Sequence, residues 1–247
     1  MSETFVLAHG AWHGGWAWQP VAARLRAAGH RVLAPTSPGL GINDDPRDIT
    51  LDDCVDALVG FVERLDLSDV TLVAHSWGGC VVGDAERRLA GRLKRVVFFS
   101  AFVPRAGESV LDAVGPDHRA LFEELRRASR DDTILPPFEV FASGFIQDAD
   151  EATARAVYEL MRPQPYRTVA DGASADAASA SADVPSAYVL AADDRSLAPG
   201  EYGWEPRFPE RLGVPVIRTP GSHEALFTRP EELSRTLLGL VGSGRPS

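Results

Sequence analysis

The chain has 247 residues and a formal net charge of −10, a length that fits one α/β domain with room for an insertion. That charge argues against nucleic acid or an anionic membrane as partner, and no apolar run approaches the ~20 residues that span a bilayer. Two cysteines, Cys54 and Cys80, form no disulfide or metal-binding framework.

In chain order, short apolar runs at 4–9, 31–35, 70–75, 95–100, 187–192 and 215–219 read as strands. The first, Thr4-Phe-Val-Leu-Ala-His9, looks like a core strand and not a secretory leader, so a cytoplasmic protein is expected. Amphipathic segments from Trp18 to Ala28 and from Leu51 to Leu65 separate the early strands. Gly29 suits the end of the first helix, and Thr50, Asp52 and Asp53 suit the start of the second, where negative charge is favourable. Strand–helix alternation predicts a mainly parallel sheet with helices on both faces.

The alternation stops between 104 and 185. Helical patterns near 108–129 and 151–162, a Pro-Pro step at 136–137, the phenylalanines Phe138, Phe141 and Phe145, and an Ala/Ser/Asp-rich stretch at 172–183 fill this span. A long non-sheet segment between two core strands reads as an inserted lid. The expected organisation is a core of residues 1–103 and 186–247 with a lid at 104–185. The phenylalanines, Phe138 and Phe141 among them, either line a pocket or pack the lid onto the body.

The run Val70-Thr-Leu-Val-Ala-His75-Ser76-Trp77-Gly78-Gly79 reads as a strand, a serine on a tight bend, and a helix start. That is a nucleophile elbow, with Ala74 in the place usually held by glycine. A serine hydroxyl attacks poorly unless a histidine, oriented by a carboxylate, takes its proton. Late in the chain, Gly221-Ser222-His223 follows a strand and precedes a helix starting near Pro230, which places His223 on a loop at a strand end. Asp193 and Asp194 follow the preceding strand and are both candidates for the carboxylate. The order Ser, Asp, His differs from that of other serine hydrolases. An oxyanion needs N–H donors; the Trp77 N–H follows the serine, and the loop His9-Gly10-Ala11-Trp12-His13-Gly14-Gly15-Trp16 offers the Ala11 N–H. Gly10 leaves room for a substrate oxygen, and Trp12 and Trp77 are candidates for the pocket wall.

The loop 9–18, the elbow, Asp194 and Gly221-Ser-His223 together resemble the α/β-hydrolase superfamily, within it the branch of plant methylesterases and hydroxynitrile lyases. The resemblance spans essentially the whole chain and is weakest across the lid. It implies a triad of Ser76, Asp194 and His223, preferring Asp194 over Asp193, with oxyanion donors Ala11 and Trp77 and no metal or organic cofactor. The cyanogenic lyases of this branch carry a threonine after the first-loop histidine and a lysine after the triad histidine. Here those positions hold Gly10 and Glu224, and a carboxylate would repel departing cyanide. Aspartate would stand at position 76 in an epoxide hydrolase or haloalkane dehalogenase. The expected function is a serine hydrolase cleaving a small, hydrophobic carboxylic ester or thioester. The alternatives are a non-hydrolytic reaction of the same serine–histidine pair and, less favoured, a ligand-binding receptor.

Overall fold

The computed structural model describes residues 2–177 and 184–242. Six parallel strands form the main sheet: β1 (Thr4–Ala8), β2 (Arg31–Leu33), β3 (Val70–His75), β4 (Leu93–Phe99), β7 (Ser186–Ala191) and β8 (Val216–Thr219), in the order β2-β1-β3-β4-β7-β8. All six fall where the apolar runs predict them. A two-stranded antiparallel ribbon, β5 (Thr133–Ile134) with β6 (Gln164–Pro165), lies outside this sheet.

Alternation along each strand splits the core in two. Leu72, Ala74, Val96, Phe98, Tyr188 and Leu190 face helices α2 (Leu51–Arg64) and α3 (Gly78–Leu89). Phe5, Leu7, Val73, Val97, Phe99 and Val189 face α1 (Gln19–Ala27) and the C-terminal helix Pro230–Gly242. β3 is buried along its whole length, as a central parallel strand covered on both sides must be. The acidic start of α2 is a capping box: the Asp53 N–H donates to Thr50 Oγ1 at 3.0 Å and the Thr50 N–H to Asp53 Oδ2 at 2.9 Å. Gly29, at φ +89°, follows α1 in the left-handed region that glycine enters without strain.

Strand order reverses direction at β1, which has β2 on one side and β3 on the other. In open parallel sheets the crevice above such a switch point is the place where ligands bind. The loop after β1 and the bend after β3 meet there.

Between β4 and β7 the chain leaves the sheet and forms helices Val110–Ala113, Pro116–Ala128, Phe138–Gly144, Glu151–Leu160 and Arg167–Ala170. The helical pattern over 108–129 is thus two helices, because Pro116 has no N–H to continue a helix and restricts the residue before it. Glu108 pairs with Arg207 and Arg211 and ties the start of this segment to helix Arg207–Leu212. Of the Ala/Ser/Asp-rich stretch, residues 178–183 lie outside the described residues. Its beginning is pinned to α3: the Ser174 and Ala175 N–H groups both donate to the Asp84 carboxylate at 2.8 Å. Among the described residues no helix is long and apolar enough to cross a membrane.

Candidate active site

Ser76 sits at φ +53°, left-handed backbone for a residue with a side chain. Such a conformation costs about 1–3 kcal/mol and persists only where its surroundings impose it. Three bonds do so: the Ser76 N–H donates to the Phe99 carbonyl at 3.3 Å, and the Ser76 carbonyl accepts from Gly79 at 3.0 Å and Phe102 at 3.1 Å. The two glycines that follow are required by close approach. A Cβ on Gly78 would lie 2.6 Å from the His9 carbonyl oxygen, and one on Gly79 would lie 2.0 Å from that of Phe102.

The loop after β1 is fixed by its own histidines. His9 Nδ1 lies 2.8 Å from the Gly10 carbonyl and so carries the proton, which leaves Nε2 to accept from the Ser37 N–H at 3.0 Å. His13 Nδ1 likewise donates to the Ala11 carbonyl at 2.7 Å. Burial lowers the pKa of His9 to about 4 and that of His13 to about 3, so both rings are neutral at pH 7. Trp12 follows at φ +65°. Its N–H donates to Gln164 Oε1 at 2.9 Å and its carbonyl accepts from the Arg162 N–H at 2.8 Å, both from the inserted segment.

His223 is buried on the loop after β8, and its Nδ1 lies 2.8 Å from Asp194 Oδ2. Asp194, not Asp193, therefore meets the histidine; the Asp193 side chain is exposed, and its backbone N–H and carbonyl bond to Gly221 and Gln147. Burial pushes the Asp194 carboxyl up, but the His223 ring and the Ser196 donors outweigh it and hold the pKa below the usual range. Burial would lower His223 as well, yet the Asp194 charge and hydrogen bond outweigh it and raise the pKa. Ser196 was not anticipated from sequence. Its Oγ donates to Asp194 Oδ1 at 2.6 Å, accepts from Trp204 Nε1 at 3.1 Å and lies 3.0 Å from His223 Nδ1. The Trp204 ring stacks on His223 at 5.5 Å and 14°. The spacing Asp194-Arg-Ser196 is the signal available for it, since an aspartate commonly accepts from the backbone two residues on, as it does here at 2.9 Å.

Ser76 and His223 face one cavity of about 40 Å³ above the carboxyl ends of the strands. Ala11, Trp12, Trp77, Phe102, Phe122, Phe145, Ser196 and Trp204 are in its wall, which places Ala11, Trp12 and Trp77 around the same space as the serine. Three expected pocket residues are not in the wall. Gly10 lies beneath the elbow, where a Cβ would be 2.9 Å from His75 Nδ1 and 3.1 Å from Ser76 Cβ. Phe141 is fully buried between Phe145 and Tyr158, and Phe138 packs on Tyr158 under the Arg155 guanidinium. Helix Phe138–Gly144 turns these two rings into the insert's own core and leaves Phe145, just past its end, for the cavity. A larger hollow of about 210 Å³ lies between the loop after β2, the end of β1, α2 and α3; neither Ser76 nor His223 lines it.

Glu224 is buried beside His223, and its Oε1 lies 3.7 Å from His13 Nε2. Burial raises its pKa to about 8, so it is a neutral acid at pH 7. His75, His223 and Glu224 offer ligand atoms within 4.8 Å of one another. A metal held there would compete for donors already in use, since His75 Nε2 bonds to the His223 carbonyl and His223 Nδ1 to Asp194. The arrangement fits proton transfer better than metal binding.

Residues 5–236 match the model of the alpha/beta hydrolase family. The chain is 33% identical to the carbendazim hydrolyzing esterase of Nocardioides sp. strain SG-4G, over 96% of this chain and 98% of that one. It is 30% identical to putative methylesterase 19 of Arabidopsis thaliana, over 97% of each. Among solved structures it is similar to an extracellular alpha/beta-hydrolase from a Paenibacillus species, at a TM-score of 0.90 and 31% identity over 96% of this chain and 98% of that one. That protein is described as sharing structural and functional homology with tobacco salicylic acid binding protein 2. With these likenesses spanning the whole sheet and the bend that carries Ser76, the chain belongs to the alpha/beta hydrolase family and is an esterase-like enzyme.

Proposed function

We propose that the enzyme cleaves a small carboxylic ester or thioester with an apolar acyl group through an acyl-enzyme on Ser76. The observation that carries this reading is the strained Ser76 sharing an aromatic cavity with His223, whose Nδ1 is tied to Asp194 at 2.8 Å. In the first step His223 Nε2 takes the Ser76 proton as Oγ attacks the ester carbonyl. The Ala11 and Trp77 N–H groups receive the oxyanion. The imidazolium then protonates the leaving alkoxide or thiolate as its bond to the acyl carbon breaks. Water, deprotonated by the same nitrogen, attacks the acyl-enzyme and releases the acid and Ser76. Asp194 stays ionised throughout and fixes the imidazole tautomer. Residues 104–185 serve as a lid over a core of 1–103 and 186–247, supplying Phe122 and Phe145 to the acyl wall.

The test is hydrolysis of p-nitrophenyl esters of increasing acyl length by wild type and Ser76→Ala. Wild type releases nitrophenol and becomes heavier by one acyl group in the mass spectrometer under rapid quench; Ser76→Ala does neither. Nitrophenol release that survives the substitution would refute the assignment. Absence of release from any ester by folded wild type would refute the esterase reading.

A further inference from the structure

A short stretch of the inserted segment, residues 145–148, reaches both loops that carry the acid and the base. The Phe145 carbonyl accepts from the Glu224 N–H at 3.1 Å, and Gln147 Nε2 donates to the Asp193 carbonyl at 2.5 Å. Asp148 Oδ2 accepts from the Ser222 N–H at 3.4 Å and from the Thr228 hydroxyl at 2.9 Å, with the Arg229 guanidinium 3.6 Å away. The two loops are also joined to each other, since the Asp193 N–H donates to the Gly221 carbonyl at 2.9 Å. These bonds form a closed circuit through the residue directly before Asp194 and the residues on both sides of His223.

Asp148 has a special place in that circuit, because one of its oxygens holds both ends of the turn that carries the histidine. Ser222 directly precedes His223, and Thr228 ends the short helix Ala225–Thr228 that follows it. The other oxygen, Oδ1, is buried and meets no partner among the described residues. A buried acceptor left unpaired is destabilising. An apolar residue at 148 would avoid that loss, so the carboxylate is explained by what Oδ2 holds. Asp148 is absent from the cavity wall, which leaves the turn as its route to the chemistry. The anchors at Gln164, Arg162 and Thr168 act elsewhere, on the backbone of Trp12 and the indole of Trp77.

We propose that Asp148 is a positioning residue for the triad: it fixes the turn of His223 so that Nδ1 stays on Asp194 and Nε2 stays toward Ser76. It acts through the Ser222 backbone and the Thr228 hydroxyl. A latch that merely kept the inserted segment on the core would, when released, leave the bond between His223 and Asp194 as it was. The inference rests on the esterase reading for its effect on turnover, but the bond itself can be read without substrate.

The low-field proton resonance of His223 Nδ1–H, identified by its loss in His223→Ala, reports that bond. It is compared in wild type, Asp148→Ala and Asp148→Asn, beside steady-state kinetics on p-nitrophenyl esters. Because a misplacement of about 1 Å can cost about 10²-fold, Asp148→Ala should lose about 10- to 100-fold in kcat with KM changed by no more than a few-fold. Its resonance should move upfield or broaden. Asparagine keeps an oxygen for the Ser222 N–H and the Thr228 hydroxyl, and should bring both readouts back near wild type. Folded Asp148→Ala with wild-type kcat and resonance overturns the inference. A fall in kcat with the resonance unmoved overturns it too, since the loss then comes by another route. Asparagine behaving like alanine also overturns it, by assigning the effect to charge. Should Asp148→Ala fail to fold, Thr228→Val removes only the 2.9 Å bond; a moved resonance with lower kcat upholds the inference, and unchanged values overturn it. If no ester is turned over by wild type, the esterase reading fails and the resonance comparison still decides whether Asp148 sets the bond.

Discussion

Glu224 is the group whose removal has the most calculable effect on the folded state. Its carboxyl is buried beside His223, and one oxygen, Oε2, has no hydrogen-bond partner among the described residues. Burial raises its pKa from the ordinary 4.5 to about 8, against the His223 attraction that lowers it. An acid with a raised folded pKa contributes stability below its unfolded pKa and loses it as pH rises toward the folded value. The affected window is therefore about pH 4.5 to 8. Each pH unit within it costs about 1.4 kcal/mol, so from pH 4.5 to pH 7 the wild type loses about 3 kcal/mol through this one residue. Glu224→Gln cannot titrate, and its neutral amide keeps the shape of the acid beside His13 Nε2, which is unprotonated because Nδ1 bonds to Ala11. The variant should thus gain about 3 kcal/mol relative to wild type between the two pH values. At this chain length that is about 6–12 °C in Tm. Thermal unfolding of both proteins at pH 4.5 and pH 7 measures it. A Tm difference that is the same at both pH values would refute the reasoning, since it would mean that Glu224 titrates alike in the folded and unfolded chain.

Asp194→Asn should lower kcat by about 10³–10⁴-fold with KM changed by no more than a few-fold, because the amide no longer favours the required imidazole tautomer; steady-state kinetics check this, and a loss under ten-fold contradicts it. The acid limb of kcat/KM should be centred above pH 6.5, because the base must be neutral and the His223 pKa is raised by the Asp194 charge and hydrogen bond despite burial; a limb centred below 6.5 counts against His223 as the base. Gly79→Ala should cost about 3 kcal/mol or more, since its Cβ would sit 2.0 Å from a backbone oxygen. Gly60→Ala, inside α2 with nothing within 4 Å of its Cβ, should gain about 0.5–1 kcal/mol; denaturant unfolding of the two variants gives both signs.

The sheet was legible because β-branched and apolar runs recur at spacings that only a buried parallel sheet explains. The bend at Ser76 was legible because Gly78 and Gly79 mark close backbone contacts. Asp194 could be chosen over Asp193 only by resemblance, since adjacent aspartates on one loop carry no periodicity to separate them. Phe138 and Phe141 were misplaced for a related reason: a seven-residue helix turns its rings according to what it docks against, and that is tertiary information. Ser196, Gln164 and Thr168 are small polar residues whose roles depend on partners far away in sequence. Glu224 was visible as a missing lysine, but its neutrality depends on depth, which the chain of letters does not record.

The polar links between the insert and the floor of the site restrict how substrate can enter. Gln164 grips the Trp12 backbone, Arg162 grips its carbonyl, Thr168 takes the Trp77 indole, and Gln164 Nε2 donates to Thr168 Oγ1 at 2.6 Å. Moving the insert away from the site would break the two bonds on the Trp12 backbone and the one on the Trp77 indole together. The Val110–Phe122 stretch of the wall is held as well, by the Arg207 guanidinium donating to the Ala113 carbonyl at 2.6 Å. The wall around Ser76 is thus held in place by the protein's own bonds, with no substrate needed to order it.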